Sequence, residues 1–169
     1  FIQNLMRWLT VSRCFGAALL LALLAWPLGM LWVLSHEDYH PEPGTLDYYL
    51  GLSSLVRGVP LPAEGDAPEY YGSTGDGPKQ PVSMVTLQVP PEQAAATLAQ
   101  LQAYLQARGL QPTGPAMREA TDAATLQDWE YATPQRTEVV VLRQVEPTHP
   151  AAHTGAASRR VTLSVMHYD

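Results

Sequence analysis

Hydrophobic and polar positions fall into three regimes along this chain. From Cys14 to Leu34 (CFGAALLLALLAWPLGMLWVL) there is no charged residue and no polar face. In a helix that run covers roughly 31 Å at about 1.5 Å per residue, close to the hydrocarbon thickness of a bilayer. It predicts a membrane-spanning helix over residues 14–35. Ahead of it, Ile2, Leu5, Trp8 and Leu9 recur at helical spacing, so residues 1–13 are expected to form a cytoplasmic or interfacial tail that extends the helix.

The second regime, residues 36–81, has no steady period and many breakers, among them Pro41, Pro43, Gly44, Pro60, Pro62, Gly65, Gly72 and Gly75. It reads as a Pro/Gly-rich periplasmic connector. Within it, Thr45–Val56 predicts a short helix near 45–56, capped by Thr45, with Leu46, Tyr49, Leu50 and Val56 on one side. Glu69-Tyr70-Tyr71-Gly72 is an aromatic patch in an otherwise polar stretch.

Regular alternation begins at Pro81. Val82–Val89 predicts a buried strand. Glu92–Arg108 predicts a helix with Ala94, Leu98, Leu101 and Leu105 as its core stripe, stopped by Gly109 in a left-handed cap. Leu110–Met117 is expected to be extended but broken by Pro112, Gly114 and Pro115, and Thr121–Gln127 to be a short turn of helix. Trp129–Ala132 and Thr137–Glu146 predict a hairpin around Thr133-Pro134-Gln135-Arg136. Arg159–Tyr168 alternates as a last strand. The fold class expected is a single-pass transmembrane helix plus a small α+β domain over 82–169, with one main helix packed on a mostly antiparallel sheet.

The flanks of the apolar run set an orientation. Arg7 and Arg13 precede it, while Glu37, Asp38, Glu42 and Asp47 follow. The positive-inside rule then places the N-terminus in the cytoplasm and the C-terminal domain in the periplasm, that is, in a bacterial inner membrane. Bulky residues at the exit (Trp32-Val33-Leu34) argue against a cleaved signal and for a retained anchor. Cys14, Ala18, Ala22, Ala25 and Gly29 form a stripe of small side chains, a helix-packing interface for other integral membrane subunits. Pro27 is expected to bend the helix, and Trp8 and Trp32 to sit at the lipid interfaces.

Charge narrows the partners. The net charge is −6, with nine Arg and one Lys and no basic run, which argues against nucleic acid. Membrane lipid and integral membrane subunits are the partners expected, and a homo-oligomer is allowed. Cys14 is the sole cysteine, so no disulfide framework is expected downstream.

Candidate chemistry is thin. His36-Glu37-Asp38-Tyr39-His40 is a literal H-E-x-x-H, which on a helix would aim two imidazoles at zinc with the glutamate as base. Pro41 follows at once and disfavours helical geometry at His40. The extended zinc-protease pattern wants glycine where Pro43 stands. A polar collar is the preferred reading, with His36 and His40 as ligands to a metal or cofactor as the alternative. His149 and His153 repeat the spacing in a loop, and His167 is assigned to packing. No G-x-S-x-G elbow occurs, Gly72, Gly75 and Gly77 lack the context of a phosphate loop, and Glu37/Asp38 have no evident cleft. No catalytic residue and no cofactor are expected.

The leading expectation is therefore a non-catalytic accessory or assembly subunit of a multi-subunit membrane complex. The alternative is a periplasmic scaffold of an envelope-spanning machine. The layout of short tail, one span and small outer domain resembles that of platform proteins in type II secretion and type IV pilus systems, with a Pro/Gly-rich connector in place of their coiled coil. That resemblance rests on architecture and implies a self-associating outer domain.

Overall fold

The computed structural model describes residues 37–63, 65–75, 78–148 and 160–168, together with Pro27. The chain divides into two units, Phe1–Glu37 and Asp38–Asp169. Apart from Pro27 and Glu37 the first lies outside the described residues, and with it the tail, Trp8, Trp32 and the small-residue stripe Cys14, Ala18, Ala22, Ala25 and Gly29.

The membrane expectation is corrected here. Among the described residues no helix is long and apolar enough to cross a membrane. The longest described helix spans Pro91–Ala107 and carries Glu92, Gln93, Gln100, Gln102 and Gln106, a polar face that hydrocarbon would not tolerate. The described residues support neither the single-pass fold class nor the inner-membrane location, and the expected span over 14–35 lies outside them apart from Pro27.

The second unit is dominated by one eight-stranded sheet, antiparallel in every pairing. Its strands are β1 (Asp38–Tyr39), β2 (Glu69–Ser73), β3 (Val82–Val89), β4 (Gln111–Pro112), β5 (Met117–Ala120), β6 (Ala124–Ala132), β7 (Val139–Pro147) and β8 (Val161–Tyr168). Their order is β1-β2-β3-β8-β7-β6-β4, with β5 also on the outer edge of β6. Among the described residues three helices accompany them: α1 (Leu46–Gly51), α2 (Ser54–Arg57) and α3 (Pro91–Ala107). The small α+β domain with one main helix is thus replaced by a wide sheet with few helices. Residues 38–73, expected as a connector, supply β1, α1, α2 and β2.

Period-2 alternation assigns the two faces. On the inner face Tyr70, Val85, Val165, Leu142 and Trp129 lie in register across five strands. Against that face α3 buries Ala94, Thr97, Leu101 and Leu105, and α2 buries Leu55 and Val56. Pro91 opens α3 and Glu92 sits in its first turn, where a carboxylate favours the helix dipole. Gly109 ends it at φ 84°, its N–H donating to the Gln106 carbonyl at 2.9 Å.

Of the segment expected as a helical turn, Thr121–Gln127, residues 124–127 instead open the nine-residue strand β6. Long-range pairing on both edges of β6, with β7 on one side and β5 and β4 on the other, outweighs local helix preference. The hairpin turn at Thr133–Arg136 forms as expected. The Thr133 hydroxyl accepts from the Thr137 and Glu138 N–H groups, and Arg136 is held at φ 53°.

Candidate interaction surface

Two surfaces of this unit carry unsatisfied binding potential, and local sequence builds each. The first is α1. Thr45 caps it, its hydroxyl oxygen accepting from the Tyr48 N–H at 3.3 Å. One side is pinned. Tyr48 packs edge-on against Tyr70 with ring centroids 5.0 Å apart, and the Tyr39 hydroxyl donates to the Gly51 carbonyl at 2.5 Å. Tyr39 fits there because Gly72 and Gly51 have no side chains. A Cβ on Gly72 would lie 2.3 Å from its ring, and one on Gly51 2.6 Å from its hydroxyl.

With that side anchored, Leu46, Tyr49 and Leu50 at i, i+3 and i+4 point outward, 74%, 54% and 72% exposed. The expected grouping with Val56 does not form, because the chain turns at Leu52–Ser53 and sends Val56 into the core. Arg57 flanks the ridge, its guanidinium 6.0 Å from the centre of the Tyr49 ring. Its Nε is buried without a hydrogen-bond partner among the described residues. Tyrosine beside arginine is a pairing enriched at protein interfaces, and Leu46 and Leu50 add exposed apolar area to it.

The second surface is the outer face of the sheet. There Met84, Met166 and Val141 form one apolar row, and Thr86, Ser164, Arg143 and Asp128 the polar row beside it. Arg143 grips Asp128 with two bonds, Nε to Oδ1 at 2.8 Å and Nη2 to Oδ2 at 2.7 Å, and that contact raises the guanidinium's already high pKa. At the end of this face where β7 begins, Gln80, Arg136, Thr137, Val139, Val141 and Tyr168 line an open cavity of about 370 Å³.

The motif H-E-x-x-H is not helical over its described residues. Asp38 and Tyr39 form strand β1, so the spacing places no two side chains on one helical face. His40 lies edge-on to Tyr71, with centroids 5.4 Å apart. Asp38 accepts from the Tyr71 hydroxyl at 2.6 Å and from Lys79 Nζ at 2.7 Å. Those bonds, Lys79 foremost, then Tyr71 and Ser73, lower its pKa to about 2. Among the described residues no group of three or more His, Cys, Asp and Glu is placed to hold a metal ion.

His36, His149 and His153 lie outside the described residues. His167 is buried on the inner face, in register with Ser83 and Val140. Sequence reasoning found the α1 stripe but not its direction, and it missed Arg57 and the cavity. Compared with protein-family models, curated proteins and solved structures, the chain matches none of them.

Proposed function

We propose that this chain is a non-catalytic accessory subunit that presents α1 to a partner protein during assembly of a larger complex. The observation that carries the reading is the ridge Leu46/Tyr49/Leu50, exposed on a helix whose opposite side is fixed to the sheet. A flexible apolar segment would lose ordering entropy on binding, whereas a pinned ridge loses little. Residues at i, i+3 and i+4 on one helix are the anchors with which short helices enter apolar grooves.

Glu42 and Asp47 border the ridge, and the chain as a whole carries −6. The partner fitted to it therefore has an apolar groove with a basic rim, and like-charged surfaces are rejected. A photo-reactive residue at Tyr49 tests this, with one at the exposed Gln100 of α3 as control. The expected result is a covalent adduct to one other protein from position 49 and none from 100. That protein is expected to fall away from purifications of the Leu46→Asp/Leu50→Asp chain, with thermal unfolding unchanged. Retention by the double variant, or an adduct formed with a second copy of this chain, rules the reading out.

A further inference from the structure

We propose that the cavity at the start of β7 is a binding site for a carboxylate that carries an apolar tail. Its lining has one formal charge, the Arg136 guanidinium. Among the described residues that guanidinium makes no ion pair. The Gln80 amide is likewise without a partner there, and the Tyr168 hydroxyl reaches only the Met166 thioether, at 4.0 Å. Thioether sulfur is a weak acceptor, so the hydroxyl keeps its donor strength. With the Thr137 hydroxyl paired to that of Thr133 at 3.1 Å, three further donor-bearing side chains line one open space together with Val139 and Val141. A few polar groups beside apolar ones, in a volume within about 300–1,000 Å³, is the make-up of small-molecule sites.

The backbone supports the placement of the charge. Arg136 is held at φ 53°, a region that side-chain-bearing residues avoid. The Thr133 hydroxyl fixes that turn through the Thr137 and Glu138 N–H groups. The Arg136 N–H also donates to the Thr133 carbonyl at 2.8 Å. Glycine would adopt this conformation freely, so arginine at this point is not explained by the turn. One guanidinium matches one carboxylate in charge and in its paired donors. A phosphate dianion would be left half-neutralised. The two valines exclude a ligand that is polar throughout, since their apolar surface gains from a hydrocarbon tail.

Such a group has two sources, a free small acid or the C-terminus of a polypeptide ending in an aliphatic residue. The cavity shares no residue with the α1 ridge, so this proposal and the preceding one fail or succeed separately.

The test is a titration of the full ¹⁵N-labelled chain with hexanoate, followed through backbone amide shifts. Saturable shifts are expected at Thr137, Val139, Val141 and Tyr168. Hexanamide is expected to bind roughly ten-fold or more weakly, the worth of one charge-assisted contact. Arg136→Gly is expected to lose as much, with the remaining sheet amides unmoved. Arg136→Asn, which also tolerates this backbone region, repeats the measurement. An N-acetylated dipeptide ending in leucine, compared with its C-terminal amide, separates the sources: tighter binding than hexanoate assigns a polypeptide terminus, weaker binding a free acid. Equal binding of hexanoate and hexanamide, unaltered binding by Arg136→Gly, shifts centred elsewhere, or tighter binding of inorganic phosphate would overturn the proposal.

Discussion

Val141 and Leu142 are adjacent in β7 and lie in different environments. Leu142 faces α3 and is fully buried, in register with Val165 and Trp129. Val141 faces the other way, in register with Met166, and helps line the open cavity. The middle rows of the inner face are filled by aliphatic and aromatic side chains, and Ser83 near one end accepts from the Ser53 N–H at 3.0 Å. The outer face alternates apolar and polar rows, and at its end Gln80, Arg136 and Thr137 are exposed. Burial is thus concentrated on the inner side of the sheet, and the proposed carboxylate site lies at the end of the other.

Truncation tests that contrast most directly. Leu142→Ala is expected to destabilise the fold by about 2–5 kcal/mol, the range for a buried leucine with a cavity left behind. Val141→Ala, one residue away, is expected to cost under about 1 kcal/mol, as partly exposed sites do. Denaturant unfolding of the two variants measures both, and equal losses would abolish the distinction between the faces. Next in size is Gly72→Ala, which places a Cβ against the Tyr39 ring. It is expected to cost about 1–3 kcal/mol, as overpacking does, and to speed amide exchange at Tyr39 and α1 first.

Arg136→Gly sharpens the comparison from the other side. It removes a left-handed arginine whose conformation costs about 1–2 kcal/mol, while the freer unfolded chain returns part of that. Thermal unfolding is expected to show a small net gain together with loss of the anion site. The smallest effect is electrostatic. Asp38 is held near a pKa of about 2, below its ordinary 3.8, so its bond to Lys79 supports β1 fully above about pH 4. The support is lost as pH falls through 2. The protection factor of the Tyr39 amide, with exchange referred to its intrinsic rate at each pH, is expected to fall across that window in the native chain and to stay level in Asp38→Asn.

The parts legible in the sequence are those whose neighbours in space are also neighbours in pattern. Val82–Val89 alternates cleanly and is β3, and Ala94, Leu101 and Leu105 keep helical spacing and are buried on α3. Glu69–Ser73 was not legible as a strand. Two tyrosines and a glycine among breakers look like loop, and Gly72 earns its place only through Tyr39, a contact that local sequence does not encode. In β6, Ala124, Leu126 and Gln127 have helical preference that pairing on both edges overrides. The cavity draws Gln80, Arg136 and Tyr168 from three distant segments. No spacing rule brings those together, because the register of β3, β8 and β7 does. On α1 the stripe was visible, but its outward aim depends on Tyr48 finding Tyr70.

The far margin of the sheet has a consequence for life at high concentration. Beyond β6 the chain lays down two fragments, Gln111–Pro112 and Met117–Ala120, in place of one continuous strand. A proline in the first withholds an amide, and Arg118 and Glu119 put charge on the second. A stray strand arriving there meets an interrupted and charged template. This margin of the sheet is therefore a poor template for a strand from another copy, however crowded the molecules are.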